Sequence, residues 1–154
     1  MPSPSETPTA VRAPGLTGQA VLAVKIDHTR AAYPRVGLAS ADVVYVEPVE
    51  AGLTRLLAIF SSKVPDKVGP VRSTRESDVD ILANYGRVAF AYSGGSPYTL
   101  ERVNKGAQVN LSFDASPLGY TRERGRPTSK TWFACLVMAV VLVAAAVVRA
   151  VMLR

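Results

Sequence analysis

With 154 residues, 48% of them hydrophobic, and 18 Lys and Arg against 12 Asp and Glu, the chain suffices for one domain and is too short for two of ordinary size. The net charge of +6 is not gathered into a Lys/Arg stripe with interleaved aromatics, which excludes a nucleic-acid partner. One cysteine, Cys135, and one histidine, His28, exclude an intrachain disulfide and leave no donor set for a structural zinc, so no metal or cofactor is expected.

Residues 1–18 hold Pro2, Pro4, Pro8 and Pro14 among Ser, Thr and Gly, the composition of a disordered linker. The basic-then-apolar pattern of a secretory signal is missing from this stretch. Val21 to Asp27 is a β-branched apolar run that predicts a buried strand, after which Pro34 and Gly37 interrupt the chain. Asp42 to Glu47, stopped by Pro48, and Leu53 to Phe60 predict two more strands, and Gly69-Pro70 marks a turn. From Glu76 to Tyr85, acids near the start, apolar Val79 and Leu82, and Gly86 beyond the end describe a short amphipathic helix. Arg87 to Tyr92 returns to strand character. Ser96 as N-cap, Pro97 at the first helical position and Gly106 at the end frame a second helix, and Val109 to Phe113 alternates as a strand. There is no internal repeat. The order β, β, β, α, β, α, β predicts an α/β domain over 19–127, with a mixed sheet and helices packed on it.

Residues 128–154 form an apolar tail. From Trp132 to Val148 there are 17 uncharged residues, about 25 Å of helix, and continuation past a snorkelling Arg149 predicts a transmembrane helix over about 132–153. The membrane is then a partner; the alternative is a buried core helix. Arg122, Arg124, Arg126 and Lys130 before the segment, against Arg149 and Arg154 in or after it, place the domain in the cytoplasm by the flanking-charge rule.

The densest chemical constellation is Gly69-Pro70-Val71-Arg72-Ser73-Thr74-Arg75, after a strand and before a helix. Backbone N–H groups and two guanidiniums three residues apart suit a carboxylate or phosphate. The alternative makes Arg72 and Arg75 internal struts paired with Glu47, Glu50, Asp78 or Asp80. Ser93-Gly94-Gly95-Ser96 joins a strand to a helix and suits close approach of an anion. It lacks the nucleophile elbow and the P-loop ending, so a plain Gly-rich turn capped by Ser96 competes with that reading. Asp27, Asp42, Glu47 and Glu50 lie in or at the ends of strands, where carboxylates serve acid–base chemistry or hold a divalent ion. Against this, Asp42 suits a turn cap, and Glu47 or Glu50 suits a counter-charge for Arg55 or Arg72. His28 would need Ser93 or Ser96 from across the sheet to complete a triad, and is otherwise a solvated turn residue. The candidate ligand-binding set is therefore Asp27, Glu47, Glu50, Arg72, Ser73, Arg75, Ser93, Gly94 and Gly95, with no catalytic residue assigned.

These residues also carry a resemblance. Val24-Lys25-Ile26-Asp27, Ala31-Ala32-Tyr33-Pro34, Gly37-Leu38, Ala41-Asp42-Val43-Val44-Tyr45, Glu47, Glu50, Gly52, Thr54-Arg55, Gly69-Pro70-Val71-Arg72-Ser73, Arg75 and Ser93-Gly94-Gly95 together resemble the N-terminal domain of the YerB-like lipoprotein family of bacteria. The likeness runs from about Leu16 to Pro127. It implies an extracytoplasmic, lipid-anchored protein, against the flanking-charge reading, and no established reaction. Three features depart from the family pattern: the missing signal peptide with its lipobox cysteine, Val46 where an acid is expected, and Thr128-Ser129-Lys130-Thr131 where relatives carry a Pro-His-Asn-aromatic stretch. A shortened or frame-shifted ending is the expectation these departures raise. Two functions follow. A non-catalytic binding or structural module of the cell envelope, holding an anionic cell-wall or peptide ligand, is favoured over a cell-wall hydrolase or transferase acting through Asp27, Glu47 or Glu50.

Overall fold

The structure, a computed structural model, describes residues 21–123 and the backbone of residues 132–135. Its elements are β1 (Val21–Asp27), β2 (Val43–Pro48), β3 (Thr54–Phe60), β4 (Lys67–Val71), α1 (Glu76–Leu82), β5 (Val88–Ala91), α2 (Pro97–Lys105), β6 (Val109–Asn110), β7 (Tyr120–Arg122) and β8 (Trp132–Cys135).

Alternation along β1 sorts the interior into two cores. Leu22, Val24 and Ile26 face one side with Leu56, Ala58 and Phe60 of β3, covered by Leu38, Val64 and Tyr120 from loops and β7. Val21 and Ala23 face the other with Leu57, Ile59, Phe90 and Tyr92, under Leu82 of α1 and Val103 of α2. Both helices therefore cover one face. Every residue of β1 is buried, which is why Val21–Val24 read as an unbroken apolar stretch instead of an alternating one.

β2, β3 and β1 lie antiparallel in that order, with Glu47 opposite Arg55 and Arg55 opposite Asp27. On its other edge β1 is shared. Val21–Val24 pair in parallel with β5, whereas Ile26 pairs antiparallel with Val71 of β4, so the sheet forks beside Lys25. At the fork Arg72 N–H donates to the Lys25 carbonyl, and the Arg72 carbonyl accepts from Ser93 N–H. The sheet is mixed because β5 also pairs in parallel with β6, while β8 lies antiparallel between β4 and β7.

Four expectations change, and one strand, β7, is added. Gly69-Pro70 sits inside β4 and not at a turn: Gly69 bonds Val36 through both its N–H and its carbonyl, and the ladder to β8 shifts register between Val68 and Val71, so the proline's missing donor falls at an irregularity. The first helix ends at Leu82 and tightens into a 3-10 turn over Ala83–Tyr85. β6 stops at Asn110, because the Asn110 side chain accepts from Ser112 N–H and the chain turns. β7 is too short for its periodicity to show in the sequence. Finally, Trp132–Cys135 are a strand hydrogen-bonded on both sides, so no transmembrane helix begins at 132. Two neighbouring strands satisfy the backbone of this aromatic tetrapeptide, which a helical reading of its hydropathy cannot register. Among the described residues no helix is long and apolar enough to cross a membrane. The linker over 1–18 and the tail over 136–154 lie outside the described residues.

Gly37 has a left-handed backbone (φ 76°), and a Cβ there would stand 2.4 Å from the Lys67 carbonyl oxygen. Gly37→Ala should therefore destabilise the domain by about 2 kcal/mol, read from urea denaturation midpoints, through the combined strain of φ and close approach.

Candidate functional site

The odd-numbered face of β1 carries Lys25 and Asp27 beyond the apolar Val21 and Ala23, so two charged groups enter the interior at the C-terminal end of the strand. Lys25 is fully buried. Its Nζ donates to Glu47 Oε1 at 2.8 Å and to Asp78 Oδ1 at 2.7 Å. Asp78, the third residue of α1, uses Oδ2 to accept from Arg75 N–H at 2.6 Å and from Thr74 Oγ1 at 2.9 Å, which closes a capping interaction on the helix. Ser77 Oγ donates to Glu47 Oε2. β1, β2 and α1 thus meet at one ammonium group. Burial pushes the Asp78 carboxyl up to about 6, assisted by the negative charge of Glu47 and opposed by Lys25. Burial works the same way on Glu47, but its interactions with Asp78, Lys25 and Ser77 outweigh it and hold that group below the usual carboxylate range.

Asp27 occupies the next position along the same face. Its Oδ1 accepts from Thr29 N–H at 2.8 Å and its Oδ2 lies 3.2 Å from Arg72 Nε. Arg55, opposite Asp27, donates to the Ser73 carbonyl at 2.9 Å. Desolvation, with the neighbouring positive charges of Arg75 and Arg72, lowers the Arg55 pKa from its ordinary value. Three guanidiniums therefore stand around the start of α1.

Beside them opens a groove of about 680 Å³ lined by Pro48, Val49 and Glu50 after β2, by Ser73, Arg75, Glu76 and Ser77 around the start of α1, and by Gly95, Ser96 and Thr99 around the start of α2. Arg75 Nη2 pairs with Glu50 Oε2 at 2.7 Å, and the Glu50 side chain is 70% exposed. Arg75 Nε is buried and has no hydrogen-bond partner among the described residues. Gly94 takes a left-handed backbone (φ 92°) whose carbonyl accepts from Thr74 N–H, docking the loop onto the Arg72–Arg75 segment. Ser96 caps α2 by accepting from Thr99 N–H at 3.1 Å.

Of the residues nominated from sequence, the structure brings Glu50, Ser73, Arg75 and Gly95 to the groove. Arg72, Ser93 and Gly94 lie in the backbone pairing just behind it, where Ser93 Oγ donates to the Val71 carbonyl at 3.3 Å. Asp27 and Glu47 are buried in ion pairs, Asp27 with Arg72 and Glu47 with Lys25. His28 shares a hydrogen bond with Thr54 Oγ1 at 2.6 Å and not with a serine. Asp42 accepts from Ser61 and Ser62 N–H and caps the turn after β3. The sequence reading nominates neither Lys25, Ser77 nor Thr99 for the site, includes Thr74 only within the Gly69–Arg75 constellation, and names Asp78 only as a counter-charge for an arginine. Lys25 is the visible signal, a charge flanked by Val24 and Ile26 inside the strand.

The family model described as "Protein of unknown function (DUF3048) N-terminal domain" matches residues 7–140. The chain belongs to this family. It is 36% identical over 104 residues to a protein named "Putative lipoprotein YerB" from Bacillus subtilis (strain 168), an alignment covering 66% of the chain and 31% of that relative. It also superposes on the crystal structure of the YerB protein from Bacillus subtilis with a TM-score of 0.71 at 30% identity, covering 78% of the chain and 41% of the solved one. The chain thus spans about a third of the curated relative's length, and the family resemblance read from the motifs holds.

The depth of each ion pair ranks what its arginine does. Arg72→Ala strands the Asp27 carboxylate, whose side chain is 5% exposed, and should cost about 1–3 kcal/mol in urea denaturation. Arg75→Ala frees a solvated acid and should cost less than about 1 kcal/mol.

Proposed function

We propose that this domain is a non-catalytic binding module of the bacterial envelope whose groove holds an anionic group of a cell-wall or peptide ligand. One observation carries the reading: Arg75 lines an open groove together with Ser73, Ser77, Ser96 and Thr99, and its ion-pair partner there is a solvent-exposed glutamate. A ligand carboxylate or phosphate can displace Glu50 at small cost, because an exposed pair contributes about 1 kcal/mol or less, and a guanidinium binds either anion through paired N–H donors. The hydrolase alternative is supported less well. Of the three acids it nominated, Asp27 and Glu47 are buried in ion pairs and Glu50 is held by Arg75. An envelope location draws support from the relative named a lipoprotein. Membrane attachment through residues 136–153, uncharged apart from Arg149, is part of the same proposal and rests on their composition.

Calorimetric titration of the full chain with soluble muropeptides, released from peptidoglycan by a muramidase, tests the groove. Binding should weaken at least about tenfold in Arg75→Ala, with folding preserved, and fall with added salt. Equal affinity of wild type and Arg75→Ala, or no binding heat with wild type, would remove the groove from consideration.

A further inference from the structure

The Lys25, Glu47 and Asp78 cluster is not part of the groove, and nothing in the groove reading uses it. Its geometry is that of an amide-forming centre. A primary amine, fully removed from solvent, touches one oxygen of a buried carboxyl at 2.7 Å. The carbon of that carboxyl lies one C–O bond, about 1.23 Å, beyond the oxygen, which brings amine and carbon toward the separation of a near-attack arrangement. The second carboxyl oxygen already accepts from the Arg75 N–H and the Thr74 hydroxyl, two donors placed to stabilise negative charge on it. Glu47 contacts the same amine at 2.8 Å, so both carboxyls meet on one Nζ, and a base able to carry protons between the amine and Asp78 is in place.

We propose that Lys25 and Asp78 are joined by an intramolecular isopeptide bond, formed after folding with Glu47 as the catalytic residue. Within the dry cluster one proton passes from the Lys25 ammonium to the Asp78 carboxylate, leaving an amine, a carboxylic acid and the Glu47 carboxylate. The Nζ lone pair attacks Cγ of Asp78, and the carbonyl electron pair moves onto Oδ2, held by Thr74 and Arg75. Glu47 takes the second proton from Nζ and delivers it to Oδ1. The Cγ–Oδ1 bond breaks, water leaves, the Nζ–Cγ amide remains, and Glu47 returns to its carboxylate. Net charge is conserved and no oxidant or co-reactant enters. The upward-shifted Asp78 carboxyl, protonated more readily than an ordinary aspartate, agrees with this scheme. The bond ties β1 to α1 across 53 positions, a covalent closure that the chain's single cysteine cannot supply within one molecule.

Mass spectrometry of the denatured full chain decides the matter independently of any ligand. The folded, aged wild type should weigh about 18 Da, one water, less than its sequence. Tryptic digestion should yield a branched peptide joining residues 13–30 to residues 76–87. Lys25→Arg and Asp78→Ala should retain the full sequence mass, and Glu47→Gln should cross-link at least about 100-fold more slowly. Wild type at full sequence mass after prolonged storage in the folded state overturns the bond. Loss of water that persists in Asp78→Ala does the same, by placing the dehydration elsewhere. Unslowed cross-linking in Glu47→Gln overturns the role given to Glu47. Because the denatured mass records covalent structure alone, a variant that folds poorly leaves the wild-type measurement decisive.

Discussion

Lys25 is the group on which the architecture turns. It sits where the sheet forks, so its backbone carbonyl receives Arg72 N–H while its side chain reaches Glu47 on β2 and Asp78 on α1. A charged amine without solvent is tolerable only when its donors are met by oxygens of opposite charge, because the desolvation penalty is several kcal/mol per ion. That requirement specifies where β2 and the first turn of α1 must stand relative to β1. Apolar packing alone would permit sliding along the helix face; three charged atoms within hydrogen-bond distance would not.

From this fixed point the remaining charges grade outward. Asp27 and Arg72 are one step nearer solvent, and Arg75 with Glu50 reaches the groove itself. The gradient matters because the same residue types perform different work at different depths. Deep pairs hold elements together and cannot exchange partners without leaving an uncompensated charge. Shallow pairs contribute little to folding and can trade one anion for another. The capping bond from Asp78 to Arg75 N–H joins the two regimes, since it fixes the backbone of the residue whose side chain faces the ligand space.

Much of this was legible in the chain. β1 emerged with its boundaries unchanged, because a β-branched run closed by polar turn residues has few other readings, and the Ser96, Pro97 and Gly106 signals framed α2 through local backbone chemistry. The acids were harder. Glu47 and Glu50 lie three residues apart, yet one is buried under α1 and the other is in solvent, because β2 ends at Pro48 and the chain leaves the sheet between them. Nothing in the spacing of Lys25 and Asp78, 53 positions apart, announces their contact. It follows from the antiparallel register of β1 and β3 and from α1 crossing above, which are tertiary facts. β4 was hidden by Gly69 and Pro70, ordinary turn residues that here occupy a register shift, and Trp132–Cys135 were absorbed into a hydropathy average dominated by the residues after them.

The divided edge of β1 also bears on how the molecule assembles. Its one flank is met by residues 54–60, soon after it leaves the ribosome, whereas the other waits for Val71 and then for residues 88–91. The earliest strand of the domain is thus among the last to be enclosed, and its completion depends on contacts remote in the chain. Such non-local closure places the domain among slowly maturing topologies, on the order of milliseconds to seconds. Until β5 arrives, a nascent chain exposes the apolar stretch Val21–Val24 at its centre, the kind of surface on which chaperones act.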